Sequence, residues 1–424
     1  MDDQELRGAL RRYAEPVPPG PGARTIVLGQ VARRRRRRRV AGIAAVMLAV
    51  AGTAGVAAGL TGEGTLVDPA DRPADRAPRT VQLGGDWREI AESPLSPRVR
   101  AIAAWTGEEL VVLGGMEDAC PPDANCVAMG KVLADGAAYD PDTDSWREIA
   151  SAPQAVHGGT AVWTGSEVVV PDAAATLAYD PVTDRWRELD AAPGGFDRGV
   201  PTDAGVAFSA YQQEADSGRP TDWLLDPESD EWTPLPRDPF GESYDRSLAW
   251  DGTRLWLLSM SVDHHGPAYD GSPSRLAVLE PGPGGIADGT WRVVDESTPD
   301  LVYEQDAWWA GGRVVVTPGP YGGGVGRLYD PEAGAWTELP DPGSTSSDPA
   351  CPLPAAGIGA SWISGGGPGL VSTEEDATAQ VPPCGGRTHI DVAVWAGDTL
   401  LLWGGFDDDL RPFASGLAWT PTRR

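Results

Sequence analysis

The residues of this sequence that could do chemistry are four cysteines, four histidines and a large excess of carboxylates. Carboxylates gather as Glu117, Asp118 and Asp123, as Glu374, Glu375 and Asp376, and as Asp407, Asp408 and Asp409. Such clusters can ligate Ca²⁺ through oxygen, but in so acidic a chain we read them as a solvated rim. Asp140, Asp142 and Asp144 imitate the opening of a Ca²⁺ loop. They lack its central Gly and distal Glu, so they are assigned to turn chemistry. His264 and His265 sit with Asp263 and Asp270 in a polar stretch where a metal is conceivable. His157 and His389 precede apolar segments and are expected to pack. No Ser/His/Asp arrangement, paired-carboxylate signature or phosphate-cradling loop stands out. The runs Gly322-Gly323-Gly324 and Gly365-Gly366-Gly367 do not open a helix. No catalytic residue, cofactor or metal ligand is therefore assigned, and binding is expected rather than catalysis.

Charge is unevenly distributed. The formal net charge is −28, yet residues 1–61 hold 11 Arg against 4 acids, leaving 23 basic and 58 acidic residues for the rest. An acidic body argues against nucleic acid, which recruits Lys and Arg to displace counterions. Residues 40–62 carry no charge, and at about 1.5 Å per residue they span a bilayer core of roughly 30 Å. Arg33 to Arg39 flank them on one side, and Glu63, Asp68 and Asp71 on the other. Positive charge stays inside, so residues 1–39 are expected in the cytoplasm and the body outside the cell membrane. A cleaved signal peptide ending near Val56-Ala57-Ala58 is the alternative; the length of the apolar stretch and the polar tail before it favour a retained anchor. Gly55 and Gly59 form a small-residue repeat through which two such helices could dimerise.

The tail carries Leu6, Leu10 and Tyr13 on one helical face, ended by Pro16, Pro18, Pro19 and Pro21. It is either a docking helix or a purely topogenic segment. In composition it is similar to the N-termini of actinobacterial membrane proteins associated with transcription factors of the extracytoplasmic-function type. That resemblance implies a cytoplasmic regulator as partner.

A repeat positions everything downstream. An aromatic or Leu is followed by Asp-Pro, a short turn, then Trp. The copies run Tyr139-Asp140-Pro141 to Trp146, Tyr179-Asp180-Pro181 to Trp186, Leu225-Asp226-Pro227 to Trp232, and Tyr329-Asp330-Pro331 to Trp336; a stretched copy runs Leu279-Glu280-Pro281 to Trp291. Each reads as strand, tight turn and second strand, with Asp-Pro setting the turn and Trp buried. Two further strand signals follow each unit, as in Val392 to Trp395 and Thr399 to Trp403, hinged on Gly. Four strands per unit make a propeller blade.

With Gly114-Gly115 and Gly404-Gly405 closing second strands before the Tyr-Asp and Trp, residues 86–421 resemble the kelch family, including the central domain of galactose oxidase. The resemblance implies an all-β propeller. Its copper-radical chemistry needs Tyr, His and Cys ligands that cannot be placed here. Trp87, Trp146, Trp186, Trp232, Trp291 and Trp336 count six blades; residues 340–387 are long enough to hold a seventh. Trp87 has no strands before it, and Gly416 to Trp419 lacks a partner after it, so the Trp87 strand is expected to complete the last blade. The expected organisation is tail 1–39, transmembrane helix 40–62, linker 63–85 and propeller 86–424.

Loops after the second and fourth strands of a blade open on one face. Residues 116–136 and 340–387 read as insertions there, in the first and last blades. In an exported domain their cysteines should form disulfides, Cys120–Cys126 and Cys351–Cys384, with cross-pairing between the insertions also permitted. The candidate binding face comprises Glu117, Asp118, Asp123, His264, His265, Asp407, Asp408 and Asp409. The expected function is a membrane-anchored, non-enzymatic module binding a protein or glycan at the envelope. A transmembrane sensor is the alternative, and an enzyme with a site in the channel the second.

Overall fold

A computed structural model describes residues 77–117, 130–196, 198–210, 212–213, 221–261, 274–298, 306–317, 326–341, 351, 353–365 and 369–423. The tail, residues 40–62, Gly55, Gly59, Cys120, Cys126, Asp118, Asp123, His264 and His265 lie outside the described residues. Among those described, no helix is long and apolar enough to cross a membrane.

The described residues form an all-β propeller of seven blades. Blade one comprises Ile102–Trp105, Leu110–Leu113, Gly136–Asp140 and Ser145–Ile149; blade two comprises Val162–Trp163, Val168–Val170, Thr176–Asp180 and Arg185–Leu189. Blade three holds Arg198–Thr202, Gly205–Ser209, Asp222–Asp226 and Glu231–Pro234. Blade four, the longest-stranded, holds Ser243–Trp250, Leu255–Ser261, Ser274–Gly282 and Gly285–Thr298. Blade five holds Asp306–Ala310, Arg313–Thr317, Arg327–Asp330 and Ala335–Glu338. Blade six is Ala355–Ile358, Ile363–Gly365, Gly369–Ser372 and Ala377–Gln380. Blade seven takes Val392–Ala396, Thr399–Trp403 and Gly416–Trp419 from the end of the chain and Arg88–Glu89 from its beginning, with Arg88 opposite Ala418.

That last pairing closes the ring as the sequence implied. The count of six gives way to its alternative of seven, the further blade lying within residues 340–387. The fourth strand of blade six carries no Trp and no Asp-Pro precedes it, so a count keyed to that repeat passes over the blade; its Trp362 sits instead in the first hairpin, buried in the core. Residues 340–387 are therefore a blade with its connections, not an insertion in the last blade. Two strands also fall within the stretch expected as linker. Arg79–Thr80 runs parallel to Ala377–Gln380 on the outer edge of blade six, and Leu83–Gly84 pairs with Thr422–Arg423.

The repeat explains how neighbouring blades hold each other. In each Asp-Pro turn the first Asp accepts the N–H two residues on, as Asp140 does from Asp142 at 2.8 Å and Asp330 from Glu332 at 2.9 Å. The last turn residue is left-handed: Asp144 (φ 49°), Asp184 (50°), Asp230 (60°), Gly334 (62°) and Asp376 (48°). Asp is among the few residues with a side chain that tolerate this region. The bend aims its carboxylate at the preceding blade. Asp144, Asp184 and Asp230 accept the N–H of Ala91, Ala150 and Asp190 at 3.0, 2.8 and 2.7 Å. The Trp two residues later donates its indole N–H to the carbonyl of the same residue, from Trp146 to Ala91 at 2.9 Å, Trp186 to Ala150 at 2.6 Å and Trp232 to Asp190 at 3.1 Å.

The remaining junctions vary the donor or the acceptor. Trp291 donates to Pro236, Trp87 to Pro382, and Trp336 to the Asp295 carboxylate. In blade six, Thr378 substitutes a hydroxyl for the indole and donates to Pro340 at 2.8 Å. These Trp, expected to be buried, are thus half-buried bridges between blades. The apolar core lies in layers between blades, for example Leu110, Val112 and Tyr139 of blade one against Val392, Leu401 and Trp403 of blade seven.

Candidate functional site

The connections after second and fourth strands share one face, called here the loop face. The double glycines sit there. Gly405 has φ 89°, and a Cβ on it would lie 2.0 Å from the His389 carbonyl, so only glycine lets the second strand turn away so close to its neighbour. Gly114, Gly115 and Gly404 are likewise left-handed.

Cys351 and Cys384 are bonded to each other. They enter and leave blade six, so the bridge staples the blade that lacks the Trp clip. Local pairing is thereby shown for this pair, and it takes up both cysteines, leaving no cross-pairing with the other stretch.

Of the acidic candidates, Glu117 is exposed, with its N–H held by the Lys131 carbonyl at 3.2 Å. In blade seven Asp407 is committed to its own turn. It accepts the N–H groups of Asp409 and Arg411, both at 2.9 Å. Asp408 and Asp409 are exposed, and Asp409 lies 3.1 Å from Arg411. Among the described residues no hydrogen bond or ion pair joins Glu117 to Asp407, Asp408 or Asp409. His389 stacks on Phe406 with centroids 4.6 Å apart and lies 3.5 Å from Asp391, whose carboxylate accepts the N–H groups of Arg100 and Gly405.

Sequence reasoning missed a set of buried charges on this face. Arg246, wholly buried in the first strand of blade four, lies 2.6 Å from Asp222 and 2.9 Å from Asp238 and donates to Ser243 at 2.9 Å. Two carboxylates share one guanidinium, so the cluster carries a net charge of −1 away from water. Burial is the main cause that pushes Asp222 up to about 6; Asp238 adds to it, and Arg246 opposes it. Oδ1 of Asp222 has no hydrogen-bond partner, nor has the hydroxyl of Ser209, its cross-strand neighbour.

The strand around Arg246 is irregular, with a register shift between Tyr244 and Ser247 and left-handed Asp245 inside it. Gln212–Gln213 pairs with Ser243 and Tyr244 as a fifth strand, on the channel side of blade four. Arg198 of blade three meets Asp306 of blade five at 2.9 Å, reaching past the inner end of blade four. The signal for this cluster was present in the sequence: Asp245-Arg246 interrupts a segment otherwise patterned as a first strand.

Blade one has a simpler arrangement. Arg98, wholly buried, forms a two-pronged pair with Asp135 at 2.7 and 2.9 Å and also donates to the carbonyls of Gly114 and Ser96. The bond to Arg98 is the largest influence holding the Asp135 carboxyl below its usual range.

These charges fix loops. Arg246 and its partners tie down the connection from blade three to blade four, reinforced by Gln213 donating to Gly241 and by Arg275 donating to Phe240 and Glu242. Arg98 and Asp135 tie the entry of blade one to the end of its insertion. Among the described residues, these charges hold the loop-face connections of blades one and four in place.

No family model matches this chain, and no curated protein matches it in sequence. Among solved structures, the one titled "Structure of YjhT" is similar, with 11% identity over 79% of this chain and 99% of that one, at a TM-score of 0.43.

Proposed function

We propose that this protein is a non-enzymatic binding scaffold of the kelch type, displayed outside the cell on a single membrane anchor, whose loop face holds a protein or glycan partner. The observation that carries this reading is the use of the buried charges. Arg98 with Asp135, Arg246 with Asp222 and Asp238, and Arg198 with Asp306 spend their charge on one another and thereby pre-shape the loops. Pre-organised loops lose little entropy on binding. The Arg run before residues 40–62 supports the anchor and its orientation.

A sensor is the second reading. The segment arriving from the anchor side is woven into the ring: Arg79 pairs with Glu375 of blade six at 2.6 Å, and Trp87 bridges to Pro382. Tension on residues 63–78 would therefore pull on the closure itself.

The test is photo-crosslinking in intact cells from an unnatural residue at Glu117, at Asp408, or at Val182. Val182 is 90% exposed on a turn of the opposite face. Discrete adducts from Glu117 and Asp408 but not Val182 are expected. Adducts from Val182 alone would refute the assignment of the face. A cytoplasmic regulator recovered with residues 1–32 would establish the sensor reading.

A further inference from the structure

Blades one and seven solve the same structural problem with one difference. In both, a buried guanidinium beneath the double glycine donates to the carbonyl of its first glycine and reaches the residue just before the third strand. Arg98 does so to Gly114 and Asp135. Arg387, one register position earlier, does so to Gly404 at 3.4 Å and to Ser415, whose hydroxyl accepts at 2.8 Å and whose carbonyl accepts at 3.2 Å. Where blade one supplies a carboxylate, blade seven supplies a serine.

The consequence is a guanidinium buried without a counter-ion among the described residues. Arg387 is 8% exposed. Phe413 lies beneath it, 4.6 Å from Cζ. Its Nη1 has no hydrogen-bond partner among the described residues. Burial pushes its pKa down, opposed only by the charge of Glu89 in the outer strand. A desolvated charge is costly unless paired, and an aromatic face compensates in part. The place of the missing carboxylate is open to solvent: Ser415 is exposed, and the Asp135 side chain at the matching position is 48% exposed. A carboxylate arriving from outside would meet the ring-stacked guanidinium and a serine hydroxyl. Planar two-oxygen anions are what a guanidinium fork holds best.

We propose that Arg387, Ser415 and Phe413 form a receptor site for an external carboxylate, carried by an acidic sugar or by an Asp or Glu side chain of a partner. The proposal rests on the loop face being the binding face, and it names the chemistry recognised there.

The full-length protein would be titrated with sodium acetate, glucuronate and a glutamate-containing peptide, each against chloride at matched ionic strength. Wild type should bind at least one of them. Preference for glucuronate assigns a sugar acid, and preference for the peptide assigns an acidic protein. Ser415→Asp rebuilds the blade-one pair within the chain, so it should weaken binding at least tenfold and raise the melting temperature. Arg387→Lys keeps the charge but loses the fork and should also weaken binding at least tenfold. Binding unchanged in Ser415→Asp, or no binding of any of the three by wild type, would overturn the proposal. Adducts from Glu117 and Asp408 would in that case still uphold the loop face.

Discussion

Replacing Asp222 by Asn should change how the propeller's stability depends on pH. Asp222 is buried with Asp238 against a single arginine, and its carboxyl is pushed up to about 6. An unfolded Asp titrates near 3.9, so the shift of roughly two units corresponds to about 3 kcal/mol. The folded state binds this proton more tightly than the unfolded state. Above the folded pKa the ionised group therefore destabilises the fold by that amount. The penalty fades as pH falls through 6 and is gone below the unfolded value. Asp135, Asp144 and Asp184 behave oppositely. Hydrogen bonds hold them below their usual range, so their stabilisation is lost as pH falls below about 4.

Wild type should accordingly gain stability from about pH 7.5 to about pH 5 and lose it again in stronger acid. Asp222→Asn keeps the shape and removes the charge, so at neutral pH it should be more stable than wild type, with no gain on acidification through 6. Urea denaturation midpoints for both proteins at the two pH values decide the matter. A wild type that weakens steadily from neutral to pH 5, or a variant that retains the gain, would refute the reasoning.

Two further outcomes follow from the frame. At the first junction, Asp184→Ala should cost roughly 2–4 kcal/mol, since it loses the bonds from Ala150 and Tyr179 and leaves at φ 50° a side chain with no polar group to ease the left-handed backbone. Asp184→Gly should cost less because the backbone is at ease, and Asp184→Asn least; equal losses for Ala and Gly in denaturant titrations would show that the left-handed turn is unimportant. Replacing both Cys351 and Cys384 by Ser frees a loop whose ends are 33 residues apart, a loss of up to roughly 4 kcal/mol; hydrogen exchange should then rise first in strands Ala355–Ile358 to Ala377–Gln380, and uniform exchange around the ring would contradict the local staple.

What the sequence by itself determined is the repeating unit. Asp-Pro followed by Trp, double glycine after an apolar run, and Gly hinges are local chemistry. They dictate strand, turn and strand wherever they occur, so six of the seven blades and their closure by the Trp87 strand follow from short-range rules. The sequence could not count blade six, because its strands keep the turn but exchange Trp for Thr378 and lean on a disulfide for support. Nor could it reveal that the Trp indoles bridge blades, since the carbonyl that receives Trp186 belongs to the preceding repeat. Only the tertiary structure gathers Arg246, Asp222 and Asp238 from two blades and the loop between them, or leaves Arg387 beside a serine where Arg98 has an aspartate. Burial sets the charge chemistry of this face, and burial is decided by which blades become neighbours around the ring.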